Sequence, residues 1–341
     1  MAVRTLLLTS DELDKAAALL KAGECVAFPT ETVYGLGASA LNPQAVEAIF
    51  VAKGRPQDNP LIVHCASQAQ AAELVTEISA EAAALMDRFW PGPLTLVLPK
   101  EPQVPDVVSA GLDTLAVRIP SHPLALKLIE LAGPLAAPSA NLSGRPSPTK
   151  AEHVMNDLGG RIAAVIDGGE TGWGVESTVV DCVSRPFRLL RPGGVTLEEL
   201  NSVCPVAVDP GVYGELKQGE TPRSPGMKYR HYAPNAQVFL IVGDQTEERI
   251  KELAEQYTNA GSKVGVMVPT EHAARYSGFT VLPMGSIENL QEISSSLYRL
   301  LREADEKGLD ILLVEGISEK GLGMAIMNRL RRAAGERIIL A

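Results

Sequence analysis

A short loop after a helical segment carries two cations placed for phosphate chemistry. Lys53 and Arg55 lie two residues apart, and Gly54 and Pro56 predict an ordered loop there instead of a longer helix. Arginine offers a planar fork of N–H donors and lysine a compact positive charge, so the pair suits a polyphosphate. The same residues also fit a solvated turn, and the loop alone does not distinguish the two interpretations.

An arginine on a buried strand needs a partner of opposite charge. The alternation over residues 114–119 predicts a strand with Leu115, Val117 and Ile119 on one face and Arg118 on the other. An unpaired buried charge is costly, so Arg118 must meet an Asp or Glu of the protein or a carboxylate of a ligand. We favour the ligand carboxylate.

Further polar residues follow short apolar segments. Ser139 and Asn141 lie two residues apart and present a hydroxyl and an amide in the same direction. His64 ends a predicted strand and fits either a structural role or a hydrogen bond to a small polar ligand. Ser147 and Thr149 are placed to cap a helix from about residue 150, whose N-terminus would attract phosphate.

The elements that position these residues form an α/β pattern. The periodicities predict helices at 11–22 (capped by Ser10), 43–53 (capped by Asn42), 69–89, 123–131, from about 150, and 197–203. They predict strands at 3–8, 25–28, 61–65, 94–98, 114–119, 135–137, 163–166, 176–181 and 187–193. If residues 29–37 stay extended, Thr30, Thr32 and Tyr34 share one face.

The composition changes between residues 209 and 234, where proline and glycine break every periodicity, and we interpret this stretch as a linker. Beyond it the pattern predicts strands at 238–242, 264–268, 281–284 and 309–314, and helices at 247–257, 289–307 and 324–332. Such alternation is typical of a parallel sheet covered on both faces. No glycine-rich phosphate signature is found in this part.

Composition limits the classes of function. The 341 residues are 45% hydrophobic, carry a net charge of -10 and contain no apolar run of membrane-spanning length. We therefore expect a cytoplasmic globular protein that does not bind membranes and is not a general nucleic-acid binder. The four cysteines are widely spaced, which favours buried thiols over a metal site or a disulfide framework.

Taken together, the motifs resemble the threonylcarbamoyl-AMP synthase family in its long, two-domain form. The resemblance rests on residues 29–37, Lys53-x-Arg55, residues 59–64, residues 90–95, Ser139-x-Asn141 and residues 231–234, and it covers essentially the whole chain. It implies a YrdC-like twisted mixed sheet with a large cavity at 1–208, a linker and lid at 209–235, and a Rossmann-like parallel α/β domain at 236–341.

The resemblance also implies an activity and roles for individual residues. The family makes threonylcarbamoyl-AMP and pyrophosphate from L-threonine, bicarbonate and ATP with Mg²⁺, and a downstream threonylcarbamoyltransferase uses the product to modify tRNA. The implied catalytic residues are Lys53, Arg55, Ser139 and Asn141. The implied ATP contacts are Arg55, Asn59, Thr114, Ser139, Ser147, Arg191 and Tyr232, and the implied threonine contacts are Thr32, His64, Arg118, Ala137 and Ser177. No protein ligand for a metal is assigned.

Two other functions fit parts of the pattern. A non-catalytic RNA-binding or ribosome-assembly module would use the same cavity for a folded RNA, but the net charge of -10 weighs against it. Carbamoyl transfer to another acceptor is the second, because related domains occur in hydrogenase-maturation proteins. The linker and second domain favour the adenylate-forming enzyme.

The linker generates a first testable prediction. Residues 228–232 combine basic and aromatic side chains, which a passive tether does not need, so we expect them to close over the cavity and exclude water. Hydrogen exchange of residues 222–234 should slow when threonine and a non-hydrolysable ATP analogue are added. Equal exchange in both states, with full activity after Tyr229→Ala and Tyr232→Ala, would leave the segment as a spacer.

Overall fold

The computed structural model of the chain describes residues 4–213 and 232–341. The described residues separate into two compact units, residues 4–143 with 147–213, and residues 144–146 with 232–341. In these ranges, no helix combines the length and apolar content that a membrane crossing requires. Most of the linker, residues 214–231, and with it most of the predicted lid, lies outside the described residues.

Strands and short helices alternate along the first unit. Its described strands, β1 to β11, are Leu6–Leu8, Val26–Phe28, Gly35–Ser39, Ile62–His64, Leu94–Pro99, Thr114–Arg118, Leu135–Ala136, Ala164–Ile166, Thr178–Asp181, Phe187–Arg191 and Val206–Val208. Its described helices, α1 to α8, are Leu13–Lys21, Pro43–Lys53, Gln68–Ala72, Ala80–Phe89, Asp106–Ser109, Pro123–Ala132, Ala151–Leu158 and Leu197–Asn201. The 3₁₀ segments are Ser10–Glu12 and Pro210–Tyr213.

The strands of the first unit form one sheet in the order β1-β8-β2-β3-β7-β4-β6-β5-β9-β10-β11. Parallel pairs such as β4 with β6 occur beside antiparallel pairs such as β5 with β6, so the predicted mixed sheet is confirmed. The register places Arg118 opposite His64 on one side and opposite Thr95 on the other. Three polar side chains from three strands are thereby brought to one end of the sheet.

Aliphatic side chains hold the helices of the first unit against this sheet. One buried cluster joins Leu20 of α1 and Leu128 of α6 to Val26 and Ile166 of the sheet. A second cluster includes Ile62, Val97, Ala116, Val179 and Leu190 from five neighbouring strands. Burial of this apolar surface keeps the strand ends that carry the polar residues in fixed positions.

The predicted helix over 69–89 is wrong, because the chain folds there as two short helices. Between α3 and α4, Val75 bridges to Lys100, and the Thr76 N–H donates to the Pro99 carbonyl at 3.0 Å. The Ser79 hydroxyl then caps α4 by accepting a hydrogen bond from the Ala82 N–H at 3.3 Å. Pairing with a strand end therefore overrides the helix propensity of this alanine-rich stretch.

Two predicted helix caps also differ from the structure. Residue 10 does not cap the first helix, because Ser10–Glu12 is a 3₁₀ segment with Thr9 at its N-cap and α1 follows it. Neither Ser147 nor Thr149 caps α7, whose N-cap residue Lys150 makes no side-chain capping bond. The predicted cap at Asn42 is confirmed, since its side chain accepts from two backbone N–H groups of α2.

The second unit is a parallel α/β domain. Its strands β12 to β16 are Gln237–Val242, Val264–Val268, Thr280–Pro283, Ile311–Glu315 and Ile338–Leu340. Its helices α9 to α11 are Thr246–Asn259, Leu290–Glu306 and Gly323–Ala334, and Thr270–Tyr276 is a 3₁₀ segment. The strand order is β14-β13-β15-β12-β16 with every pair parallel, which confirms the predicted parallel sheet.

Candidate active site

Lys53 is the last residue of α2 and lies in the protein interior. Gly54 follows with a φ of 61°, a left-handed conformation that suits glycine and turns the chain away from the helix. The Lys53 side chain is 2% exposed, and its Nζ donates to the carbonyl oxygens of Ser139 and Asn141 at 2.5 Å each. The chain after β7 is thereby fixed to the end of α2.

Ser139 and Asn141 face each other within the turn that Lys53 holds. The Ser139 hydroxyl donates to Asn141 Oδ1 at 2.6 Å, and the Ser143 N–H donates to the Lys53 carbonyl at 3.0 Å. Burial and then the charge of Arg55 hold the pKa of Lys53 well below its usual value, while Asp157 acts in the opposite direction. The structure thus brings Lys53, Ser139 and Asn141 together.

Arg55 and Asn59 form the other side of the loop. Arg55 Nη2 lies 3.4 Å from the carbonyl oxygens of both Asn59 and Pro60. Asn59 is 1% exposed, and neither its amide oxygen nor its amide nitrogen has a hydrogen-bond partner among the described residues. A buried amide without partners costs about 1–3 kcal/mol, so this side chain is suited to a polar ligand.

Arg118 has a protein carboxylate as its partner, one of the two alternatives that the sequence left open. Its Nη2 lies 2.6 Å from Glu31 Oε1, and the ion pair is almost fully buried. Its Nη1 donates to Thr32 Oγ1 at 3.0 Å and its Nε to the Gly92 carbonyl at 3.2 Å. The favoured ligand carboxylate is therefore not needed to explain the burial of Arg118, and threonine binding by Arg118 stays a prediction.

The run from Pro29 to Tyr34 is a turn that precedes β3, so the extended conformation on which a shared face of Thr30, Thr32 and Tyr34 depended is not present. Thr30 Oγ1 lies 2.8 Å from Thr32 Oγ1 and donates to the Val33 carbonyl at 2.7 Å. These bonds between side chains and nearby backbone compete with strand pairing, as threonine often does. The turn brings Thr32 Oγ1 to the Arg118 guanidinium.

His64 is buried beside Arg118 and is held in its neutral form. His64 is 4% exposed, and its ring forms a T-shaped pair with the Phe28 ring at a centroid distance of 6.2 Å. Burial, and then the positive charge of Arg118, lowers the pKa of His64 to about 3, with a smaller contribution from Arg191. A neutral imidazole suits a hydrogen bond to an uncharged ligand group.

Ser177 and Arg191 contact each other, although the resemblance assigned them to different substrates. Arg191 donates from Nε to the Ser177 carbonyl at 3.0 Å and from Nη2 to the Ser177 hydroxyl at 3.1 Å. The Ser177 hydroxyl also lies 2.8 Å from the hydroxyl of Thr95, the residue opposite Arg118. Hydrogen bonds therefore connect Thr95 to Ser177, the predicted threonine contact, and Ser177 to Arg191.

Ser147 and Ala137 occupy buried positions with different partners. The Ser147 hydroxyl donates to Glu176 Oε1 at 2.5 Å instead of capping a helix. The Ala137 N–H donates to the Ile62 carbonyl at 2.9 Å, which places this backbone segment beside β4. The burial of both residues is consistent with a role in an enclosed site.

Thr114 and Tyr232 are two further predicted nucleotide contacts. Thr114 begins β6, roughly 13 Å along the strand from Arg118, and the parallel register of β4 and β6 extends from Ile62 and Ala116 toward Pro60 and Thr114, beside Asn59. Tyr232 belongs to the second unit, where it is 6% exposed and its ring lies 5.3 Å from that of Tyr298. Their roles in nucleotide binding stay predictions.

The structure adds three carboxylates that the sequence reasoning did not single out. Glu31 pairs with Arg118, Glu176 accepts from Ser147, and Asp157 Oδ2 accepts from the Leu142 N–H at 3.3 Å. A signal for Glu31 was available, because a buried arginine needs an acid and Glu31 follows a buried strand in the same motif as Thr32. Asp157 had none, since it lies within an ordinary amphipathic helix.

Two family models match the chain, one for each part. The Sua5/YciO/YrdC model, described as telomere recombination, matches residues 18–193. The model described as threonylcarbamoyl-AMP synthase, C-terminal domain, matches residues 195–335. The mixed sheet and its buried cationic site define the first unit as a YrdC-like α/β domain.

Similar proteins extend this likeness over the whole length. A threonylcarbamoyl-AMP synthase of Pyrococcus abyssi is 53% identical, with 95% of this chain and 94% of the relative covered. One of Bacillus subtilis is 52% identical, with 96% and 94% covered. The crystal structure of Pyrococcus abyssi Sua5 complexed with L-threonine matches with 50% identity, a TM-score of 0.93, and 99% and 100% of the two chains covered. The chain belongs to the threonylcarbamoyl-AMP synthase family.

His64 generates a prediction about stability in acid. The unfolded chain binds a proton at His64 below pH 6.5, whereas the folded chain does so only near pH 3, so folding stability falls as pH falls between these values. From pH 7 to pH 5, this single group should lower the free energy of unfolding by about 2 kcal/mol. Urea denaturation of the wild type and of His64→Gln at both pH values measures the difference, and an identical loss in both proteins would contradict the buried neutral state.

Proposed function

We propose that this protein is an L-threonylcarbamoyladenylate synthase, a nucleotidyltransferase that forms threonylcarbamoyl-AMP and pyrophosphate from L-threonine, bicarbonate and ATP. The observation that carries the proposal is the full-length likeness to a Sua5 protein that was crystallised in complex with L-threonine. The residues that the resemblance assigned to threonine occur here as a buried group around Arg118.

The threonine end of the proposed site lies where β4, β5 and β6 meet. Arg118 would pair with the substrate carboxylate through N–H donors that its protein partners leave over. Thr32 and the neutral His64 are suited to the hydroxyl of threonine, because both are uncharged groups that can form hydrogen bonds with an alcohol. Thr32 and His64 would favour a hydroxy amino acid over one with an apolar side chain, whereas Arg118 would bind the carboxylate of either.

The nucleotide end of the proposed site lies at the end of α2. Lys53 and Arg55 would contact the phosphates, with Ser139 and Asn141 beside them. The threonine amine and bicarbonate would first form a carbamate with loss of water. A carbamate oxygen then bonds to the α-phosphorus of ATP as the bond from that phosphorus to pyrophosphate breaks. Both reactants are anions, so positioning and electrostatic stabilisation supply most of the catalysis, and no protein nucleophile is required.

Magnesium is proposed as part of the ATP substrate, coordinated by its phosphates. When bound there, Mg²⁺ neutralises charge on the departing pyrophosphate. The buried side-chain amide of Asn59, which has no hydrogen-bond partner among the described residues, would suit a phosphate oxygen or a metal-bound water. We propose that the product passes to a downstream tRNA-modifying threonylcarbamoyltransferase, without stable binding of nucleic acid by this protein.

The phosphate assignment predicts a loss of turnover when either cation is neutralised. Lys53→Ala and Arg55→Ala should each lower kcat strongly at saturating ATP, because the cations interact more with transition-state charge than with the ground state. Pyrophosphate release that depends on both threonine and bicarbonate measures this. Lys100→Ala, which removes a cation paired with exposed Asp106, is the matched control. A normal kcat in the Arg55 variant would leave the loop as a solvated turn.

The threonine assignment predicts a selective effect of Arg118. Arg118→Ala should raise the KM for threonine far more than the KM for ATP. The expected rise corresponds to a loss of roughly 2–4 kcal/mol of threonine binding free energy. Arg185→Ala, which removes the partner of exposed Glu81, should change neither value. An unchanged threonine KM in a folded Arg118 variant would leave Arg118 as no more than the counterion of Glu31.

A further inference from the structure

Glu31 lies beside the proposed threonine site but belongs to none of the assigned contacts. Its side chain is 11% exposed and its Oε1 forms the 2.6 Å ion pair with Arg118. Its other oxygen, Oε2, is buried without a hydrogen-bond partner among the described residues. Arg118 therefore accounts for every hydrogen bond shown for this carboxylate.

Arg118 is held in one orientation by three separate acceptors. Nε donates to the Gly92 carbonyl, Nη1 to Thr32 and Nη2 to Glu31. A guanidinium group carries five N–H donors in one plane, so three bonds fix that plane and leave two donors over. Of the three acceptors, only Glu31 is charged, which makes its bond the strongest.

The backbone of Glu31 is itself fixed. The Trp173 N–H donates to the Glu31 carbonyl at 2.9 Å, and the Gly174 N–H donates to the Thr32 carbonyl at 3.1 Å. Gly92 is fixed in the same way, since its N–H donates to the Ile119 carbonyl at 2.8 Å, one residue beyond Arg118. The carboxylate therefore stands on a rigid turn and can define where the guanidinium lies.

We propose that Glu31 is a positioning residue for threonine, which acts by orienting the Arg118 guanidinium so that its two remaining donors meet the substrate carboxylate. The inference rests on the proposed function, because it takes Arg118 as the threonine contact. Without Glu31, the long arginine side chain regains rotamer freedom that binding must then remove. Glu31 should thus set the affinity for threonine and leave the affinity for ATP unchanged.

Calorimetric titration of the full-length protein with L-threonine, and separately with ATP, tests this directly. Glu31→Ala should weaken threonine binding by about ten-fold or more, with ATP binding unchanged. Glu31→Gln keeps an oxygen that accepts from Arg118 but loses the charge, so its loss should be smaller yet measurable. Glu81→Gln removes a comparable but exposed partner of an arginine and should bind threonine like the wild type.

In the competing role, Glu31 occupies Arg118 in the free protein, and the substrate carboxylate must displace it to bind. A higher threonine affinity in Glu31→Ala would show this and overturn the proposal, as would an unchanged affinity. If Glu31→Ala does not fold, Glu31→Gln decides, and wild-type threonine affinity there overturns the proposal. Kinetics separate the proposed reaction from the proposed role of Glu31. If the wild type binds threonine but releases no pyrophosphate, the proposed reaction is refuted and the role of Glu31 in threonine binding stands.

Discussion

The need of buried cations for fixed acceptors is the constraint on which the first unit depends. A charge removed from water must be compensated by close dipoles or counter-charges, or it destabilises the fold. Lys53 meets this requirement with two backbone carbonyls, and Arg118 meets it with one carbonyl, one hydroxyl and one carboxylate. The turns that supply these acceptors must therefore have defined shapes in the folded protein.

The sheet topology delivers those turns to the cations. Strand β7 lies between β3 and β4, so the turn that follows it reaches the end of α2 and receives Lys53. Strand β6 lies between β4 and β5, so Arg118 is flanked by His64 and Thr95. The two groups of side chains for which we propose phosphate chemistry and amino-acid recognition are thus positioned by one sheet. The preorganised donors carry the proposed catalysis, because the reaction itself needs no protein nucleophile.

Much of the fold was predictable because local signals and tertiary structure agree. The helix Pro43–Lys53 has an asparagine cap, an early proline and a following glycine, and the structure confirms all three. The helix over 69–89 failed because its propensity is overridden by backbone pairing of Val75 and Thr76 with the end of β5. Such pairing joins residues far apart in sequence and leaves no local signal.

The site was predictable in its residue types but not in its pairings. Spacing and resemblance identified Lys53, Ser139 and Asn141, yet the bonds from Lys53 run to backbone carbonyls, which carry no sequence signal. The partner of Arg118 was left open because a buried arginine can pair with a carboxylate of the protein or with one of a ligand. The need of Arg118 for an acid pointed toward Glu31, but the pairing itself depends on the turn at residues 29–34, which the sequence did not predict.

The most direct test of the proposed function is identification of the product itself. The full-length protein would be incubated with ATP, Mg²⁺, L-threonine and ¹³C-bicarbonate, and the nucleotides separated and analysed by mass spectrometry. We predict threonylcarbamoyl-AMP that carries the ¹³C label, together with pyrophosphate, and no such product when threonine is omitted. Formation of AMP or ADP without a labelled threonylcarbamoyl adduct would contradict it.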